Sequence, residues 1–143
     1  MGYPKMFDTN PFFKSQNHHV CIFVGSLNEK ELEEYLEELG VDDNEPINNF
    51  SKDLGTWYDH DYIWYEAVDI PIDIKELCRL NGIDDTTLIK KLENQCTKKT
   101  SSIIFLWNAE AINTEDKRIF ADGRLEFLSH FEYESPLIDQ EEY

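Results

Sequence analysis

Apolar positions recur at two periods along this chain, and the switches between them mark out its elements. Residues 19–25 (HVCIFVG) are an almost unbroken apolar run closed by Gly25 and Ser26, the pattern of a buried strand. Immediately after it, Leu32, Tyr35, Leu36 and Leu39 stand at i, i+3, i+4 and i+7, which predicts one face of a helix over residues 28–39. Asn28, with Glu31 three residues on, reads as a capping box, and Gly40 as the stop. Residues 41–49 (VDDNEPINN) are turn chemistry, and Ile47, Phe50 and Leu54 then predict a short helix ended by Gly55.

The aromatic stretch 57–69 (WYDHDYIWYEAVD) alternates well enough to predict a second strand, with Pro71 as its end. A helix over residues 73–80 would turn Ile74, Leu77 and Cys78 inward. The next helix, capped by Asp84 or Asp85, would bury Leu88, Ile89 and Leu92. Residues 102–107 (SIIFLW) are the strongest strand signal. Asp122 and Gly123 make a plausible tight turn into a fourth strand over residues 124–133, where Leu125, Phe127, Ser129 and Phe131 alternate with Glu126, Leu128, His130 and Glu132. The third and fourth strands are close in sequence and can pair antiparallel, the strand order staying open, and the two middle helices can cover one face. This predicts a single α+β domain: a mainly antiparallel sheet of about four strands with three or four helices packed on it. Its expected limits are an irregular arm over residues 1–18, the domain over 19–133 and an acidic tail over 134–143.

Charge changes this picture from a fold to a surface. The chain has 143 residues and a formal net charge of −17. Between residues 28 and 73 there are 15 Asp and Glu against Lys30 and Lys52, a net of −13, whereas residues 74–124 carry a net of +1. Acidity serving solubility alone would be spread more evenly. A localised field repels nucleic acid and anionic membranes, which argues against direct binding of either, and it attracts a basic protein partner. The unpaired, widely spaced Cys21, Cys78 and Cys96 suit buried reduced thiols and a cytoplasmic protein.

Candidate chemistry is sparse. Asp59, His60 and Asp61 could form a metal-dependent hydrolytic centre, but neighbours on a strand point to opposite faces, and no helical histidine pair, CxxC or glycine-rich phosphate loop accompanies them. The pair His18 and His19 reads more simply as a polar strand edge than as metal ligands. No cofactor and no metal is therefore expected. Trp57, Tyr58, Tyr62, Trp64 and Tyr65 divide between core packing and interface anchoring, since Trp and Tyr commonly anchor interfaces and here lie within the acidic stretch. A homo-oligomer paired through the aromatic strand stays open beside these readings, as does a nucleic-acid mimic directed at another basic protein.

In order, the segments HVCIFVG, LNEKELEEYLEE, an acidic linker, FSKDLG, WYDHDYIWYEAVD, SIIFLWNAE and RLEFLSHFEY resemble the Imm22 immunity proteins of bacterial polymorphic toxin systems. The likeness runs from about His19 to Tyr133, and the arm before His19 falls outside it. It rests on aromatic and acidic patterns, not on a catalytic signature. The resemblance implies a non-enzymatic antidote that binds a cognate toxin and blocks it in the producing cell. Many such toxins are nucleases with basic clefts. Joined to the charge analysis, this nominates Glu29, Glu33, Glu37, Asp42, Asp43, Asp59 and Asp61 as an acidic toxin-binding face, with Trp57, Tyr58 and Tyr62 as its anchors.

Overall fold

A computed structural model describes residues 11–39, 46–116 and 118–134. The described residues form four strands and four α-helices: β1 (Phe13–Gly25), α1 (Glu29–Leu36), α2 (Asn49–Leu54), β2 (Ile63–Ile72), α3 (Ile74–Leu80), α4 (Thr86–Gln95), β3 (Thr100–Ala111) and β4 (Leu125–Glu132). The sheet is antiparallel throughout, in the order β2-β3-β1-β4. It is the α+β fold that the sequence pattern predicts.

The two central strands explain the layering. All side chains from Val20 to Val24 and from Ile103 to Trp107 are buried, so neither face of the β1–β3 pair can meet water. On one face, Cys21, Phe23, Ile104 and Leu106 pack with Leu32 and Tyr35 of α1 and Phe50 and Leu54 of α2. Phe23 is the hub: its ring lies 5.2 Å from Phe50, 5.1 Å from Phe120 and 5.6 Å from Phe127, all edge-on. On the other face, Val20, Ile22, Val24, Ile103, Phe105 and Trp107 pack under Ile74 and Leu77 of α3 and Leu88, Ile89 and Leu92 of α4. Helices thus cover both faces, α1 and α2 on one and α3 and α4 on the other.

The helix termini follow the sequence signals. Asn28 accepts from the Glu31 amide at 2.8 Å while Glu31 accepts from the Asn28 amide at 2.9 Å, a complete capping box. Asn48 and Ser51 repeat the device at α2, which Gly55 closes in the left-handed region at φ 78°. Asp85 caps α4 through the Thr87 and Leu88 amides.

Four expectations need correction. Helix α1 ends at Leu36, with Glu37 extended as its C-cap; the Leu39 amide donates to the Ile47 carbonyl at 2.8 Å, and Leu39 is 53% exposed instead of buried. Strand β1 begins at Phe13, inside the segment expected to be an irregular arm, because the buried rings of Phe12 and Phe13 join the α1 side of the core. Strand β2 starts at Ile63, after a 3-10 turn over His60–Tyr62, and runs through Pro71 to Ile72. Pro71 fits because β2 is an edge strand.

The fourth correction concerns β4, which pairs with β1 and not with β3. The turn at Asp122 and Gly123 is present, with φ 54° and 90°, but it bridges Phe120 to Leu125. A bulge where Ile22 opposite Ser129 gives way to Phe23 opposite Phe127 then breaks the simple alternation. Leu125 and Phe127 join one core, and Leu128, Phe131 and Tyr133 the other.

Asn48 ties these pieces together from a fully buried position. Its Nδ2 donates to the Leu36 carbonyl at 3.0 Å and to the Tyr58 hydroxyl at 2.6 Å, and its Oδ1 accepts from the Ser51 amide at 2.8 Å. Removing it leaves several buried groups unpaired at once. Asn48→Ala is expected to cost about 2–4 kcal/mol in urea unfolding, against about 1 kcal/mol for the half-buried cap substitution Asn28→Ala.

Candidate functional site

The acidic character of α1 is a direct result of its amphipathic pattern. With Leu32 and Tyr35 committed to the core, Glu29, Glu33, Glu34, Glu37 and Glu38 stay exposed. Glu31 is drawn into structure, since beyond its role in the capping box it pairs with Arg124 at 3.2 Å. Of the nominated acidic residues, Glu29, Glu33, Glu37, Asp59 and Asp61 are exposed, while Asp42 and Asp43 lie outside the described residues.

The tertiary fold brings the end of α1 to the turn that precedes β2. The His60 ring sits between the two, with Nδ1 3.9 Å from Glu38 and Nε2 3.4 Å from Asp61. Asp59 caps the 3-10 turn by accepting from the Asp61 amide at 2.9 Å. The Asp59, His60 and Asp61 carbonyl-and-carboxylate geometry is that of a solvent-facing capped turn, with one Asp59 oxygen already used by the backbone. Among the described residues, the carboxylates and imidazoles whose ligating atoms converge belong to His19, Glu110 and His130 instead.

The aromatics separate by position. Trp57 and Tyr62 are half-buried at the margin of the acidic turn, and Tyr62 also packs against the core under α3 and α4. Tyr58 is an interior residue, 7% exposed, with its ring 5.5 Å from Phe50 and its hydroxyl bonded to Asn48. At that burial it is not placed to act as an accessible anchor. Trp64 stands edge-on to Trp107 at 5.5 Å, whereas Tyr65 is exposed on β2. Asp69 and Pro71 on that edge strand blunt further strand pairing.

A second acidic feature was not legible from sequence spacing. Between α1, α2 and the turn at Asp122 lies a polar cleft of about 340 Å³, whose lining includes Glu31, Glu34, Asp53 and Asp122 together with Lys52 and Arg124. Asp53 anchors it, accepting from the Tyr35 hydroxyl at 2.6 Å and the Ala121 amide at 2.9 Å. Burial, reinforced by the bond to Asp53, holds the Tyr35 phenol neutral far above the usual range. The only sequence signal was the excess of acid within residues 28–73; the meeting of α1, α2 and residue 122 depends on the fold.

Comparison with known proteins gives the surface a context. Residues 20–134 match the Immunity protein 22 family, and the chain belongs to that family. No curated protein and no solved structure matches it. Family membership supports a toxin-neutralising role exercised by binding to a cognate toxin. No helix among the described residues is long and apolar enough to cross a membrane.

The buried phenols and thiols make this assembly sensitive to alkali. Burial pushes Tyr58 from its ordinary 10.0 up to about 12, against the opposing bond to Asn48, and pushes Cys78 from 9.0 up to about 12. Both groups keep their protons in the folded state over a range where the unfolded chain loses them. Their contribution is therefore complete below pH 9 and is lost as the pH rises towards 12. Unfolding free energy is expected to decline over this interval. Tyr58→Phe should flatten the slope above pH 10 by up to about 1.4 kcal/mol per pH unit, measured by denaturant titration at stepped pH.

Proposed function

We propose that this chain neutralises a basic toxin domain, of the nuclease class, by laying its acidic surface over the cationic cleft that holds the toxin's substrate. The observation that carries the proposal is the meeting of Glu38, two residues beyond the end of α1, with the Asp59–Asp61 turn at His60. Two acidic segments separated in sequence there form one negative surface, in a chain of net charge −17.

In this reading Glu29, Glu33 and Glu37 steer the encounter, with Asp42, Asp43, Asp59 and Asp61 extending the field. Exposed charges of this kind act mainly on association rate and specificity. Trp57 and Tyr62, half-buried beside the turn, supply the apolar area that slows dissociation, while Tyr58 packs into the core against Phe50 and Asn48. The cleft anchored by Asp53 is sized for the side chain of a toxin lysine or arginine. Binding takes place in the cytoplasm of the producing cell and needs no cofactor, nucleic acid or membrane.

The test is association with the product of the gene immediately upstream, at low and then moderate salt, read together with that product's activity. Tight, salt-sensitive binding with loss of toxin activity is expected. In stopped-flow mixing, the double reversal Glu33→Lys with Glu37→Lys should slow association about tenfold at low salt and flatten its salt dependence. Trp57→Ala should instead raise the dissociation rate, with a loss of about 2 kcal/mol if it is a central anchor. An unchanged association rate for the double reversal would remove α1 from the binding face.

A further inference from the structure

We propose that His19, Glu110 and His130 form a binding site for a divalent ion of the zinc type, spanning three neighbouring strands of the sheet. His19 lies on β1, Glu110 on β3 and His130 on β4, and one ligating atom from each falls within 4.8 Å of the other two. Zinc with nitrogen and oxygen ligands at about 2.0–2.2 Å holds tetrahedral ligand atoms about 3.3 Å apart. Small side-chain rotations are enough to close the difference.

The backbone around the cluster departs from regular pairing. The β1–β3 ladder breaks between Ser15 opposite Ala109 and Val20 opposite Trp107. Inside this break, His18 and Asn108 both take left-handed conformations, at φ 66° and 55°. Such breaks re-aim side chains that a regular pleat would send elsewhere, and strained positions of this kind concentrate at functional sites. Here they accompany the convergence of a β3 carboxylate with the imidazoles of β1 and β4.

Nδ1 of His19 is buried and has no hydrogen-bond partner among the described residues. A bound cation would satisfy an imidazole nitrogen where the protein supplies no donor or acceptor. The His19 and His130 rings lie 6.4 Å apart, inclined by 27°, with one ring nitrogen of each within 4.8 Å of the other. Glu110 is met by the Lys14 ammonium at 3.6 Å, but the Lys14 side chain is 56% exposed and can swing away as the ion enters. Glu132, opposite His19 in the β1–β4 ladder, adds negative charge nearby.

The donor set selects the ion. Magnesium and calcium seek shells of oxygen, whereas two imidazoles and one carboxylate suit zinc and leave its fourth position open. The ion would clamp β3, β1 and β4 together at the place where their ladder is interrupted, and would keep one coordination position available.

The full chain, stripped with EDTA and titrated with zinc chloride in a calorimeter, should bind one ion with micromolar or tighter affinity and gain about 5 °C in melting temperature at saturating zinc. Cobalt(II) at the same site should give the strong visible bands of tetrahedral coordination. His130→Ala and Glu110→Gln should each weaken zinc binding at least tenfold, with circular dichroism confirming that the metal-free variants are folded. The near-isosteric Glu110→Gln carries the test if His130→Ala does not fold. His60→Ala, which removes the imidazole between Glu38 and Asp61, should leave binding unchanged. Absence of stoichiometric binding, retention of it in Glu110→Gln, or its loss in His60→Ala would overturn the proposal.

Discussion

The structure rests on one constraint: the strand pair β1–β3 has no side that can face water. Val20 to Val24 and Ile103 to Trp107 are all buried, so the sheet requires helices on both faces. That requirement recruits α1 and α2 to one side and α3 and α4 to the other, and it determines which side chains remain for function. Helix α1 spends Leu32 and Tyr35 on the core and shows, beside Lys30, mainly carboxylates on its exposed face.

Helix α1 is consequently held by its neighbours more than by itself. Glu29 and Glu31 in its first turn favour the positive end of the helix dipole, but no basic residue stands in its last turn, and Glu37 and Glu38 crowd the negative end. An eight-residue helix with this charge distribution would be marginal in isolation. Its stability comes from the ring of Tyr35 against Phe50 at 5.6 Å, from the Asn48 bond to the Leu36 carbonyl and from Arg124 against Glu31. The same arrangement concentrates negative potential where a partner can reach it. Mutual repulsion among the carboxylates then opposes folding and is relieved when a cationic surface approaches.

The sheet also carries a second polar locus of a different kind. Where the β1–β3 ladder breaks, imidazoles and a carboxylate from three strands converge, the carboxylate paired with a surface lysine. The acidic face is made by exclusion, since its carboxylates are what the core does not use. The histidine cluster is made by strand order, because β1 lies between β3 and β4.

Much of this was legible in the chain itself, for local reasons. The capping box at Asn28 depends on residues three apart, Gly55 ends α2 through its own φ, and the buried faces of α1, α3 and α4 follow from spacing within a few turns. The acidic excess of residues 28–73 and the family likeness were equally open to inspection. Other features depended on long-range pairing. Leu39 left its helix because its amide found the Ile47 carbonyl, Tyr58 went inward because Asn48 and Phe50 receive it, and the bulge beside Phe23 divided β4 between two cores. Sequence by itself determined which faces are apolar and which are acidic, since periodicity and capping act over a turn or two. Only the tertiary structure decided strand order, the meeting of Glu38 with His60, the cleft at Asp53 and the convergence of His19, Glu110 and His130. Each of those requires backbone hydrogen bonds or packing between segments whose separation along the chain no local pattern encodes.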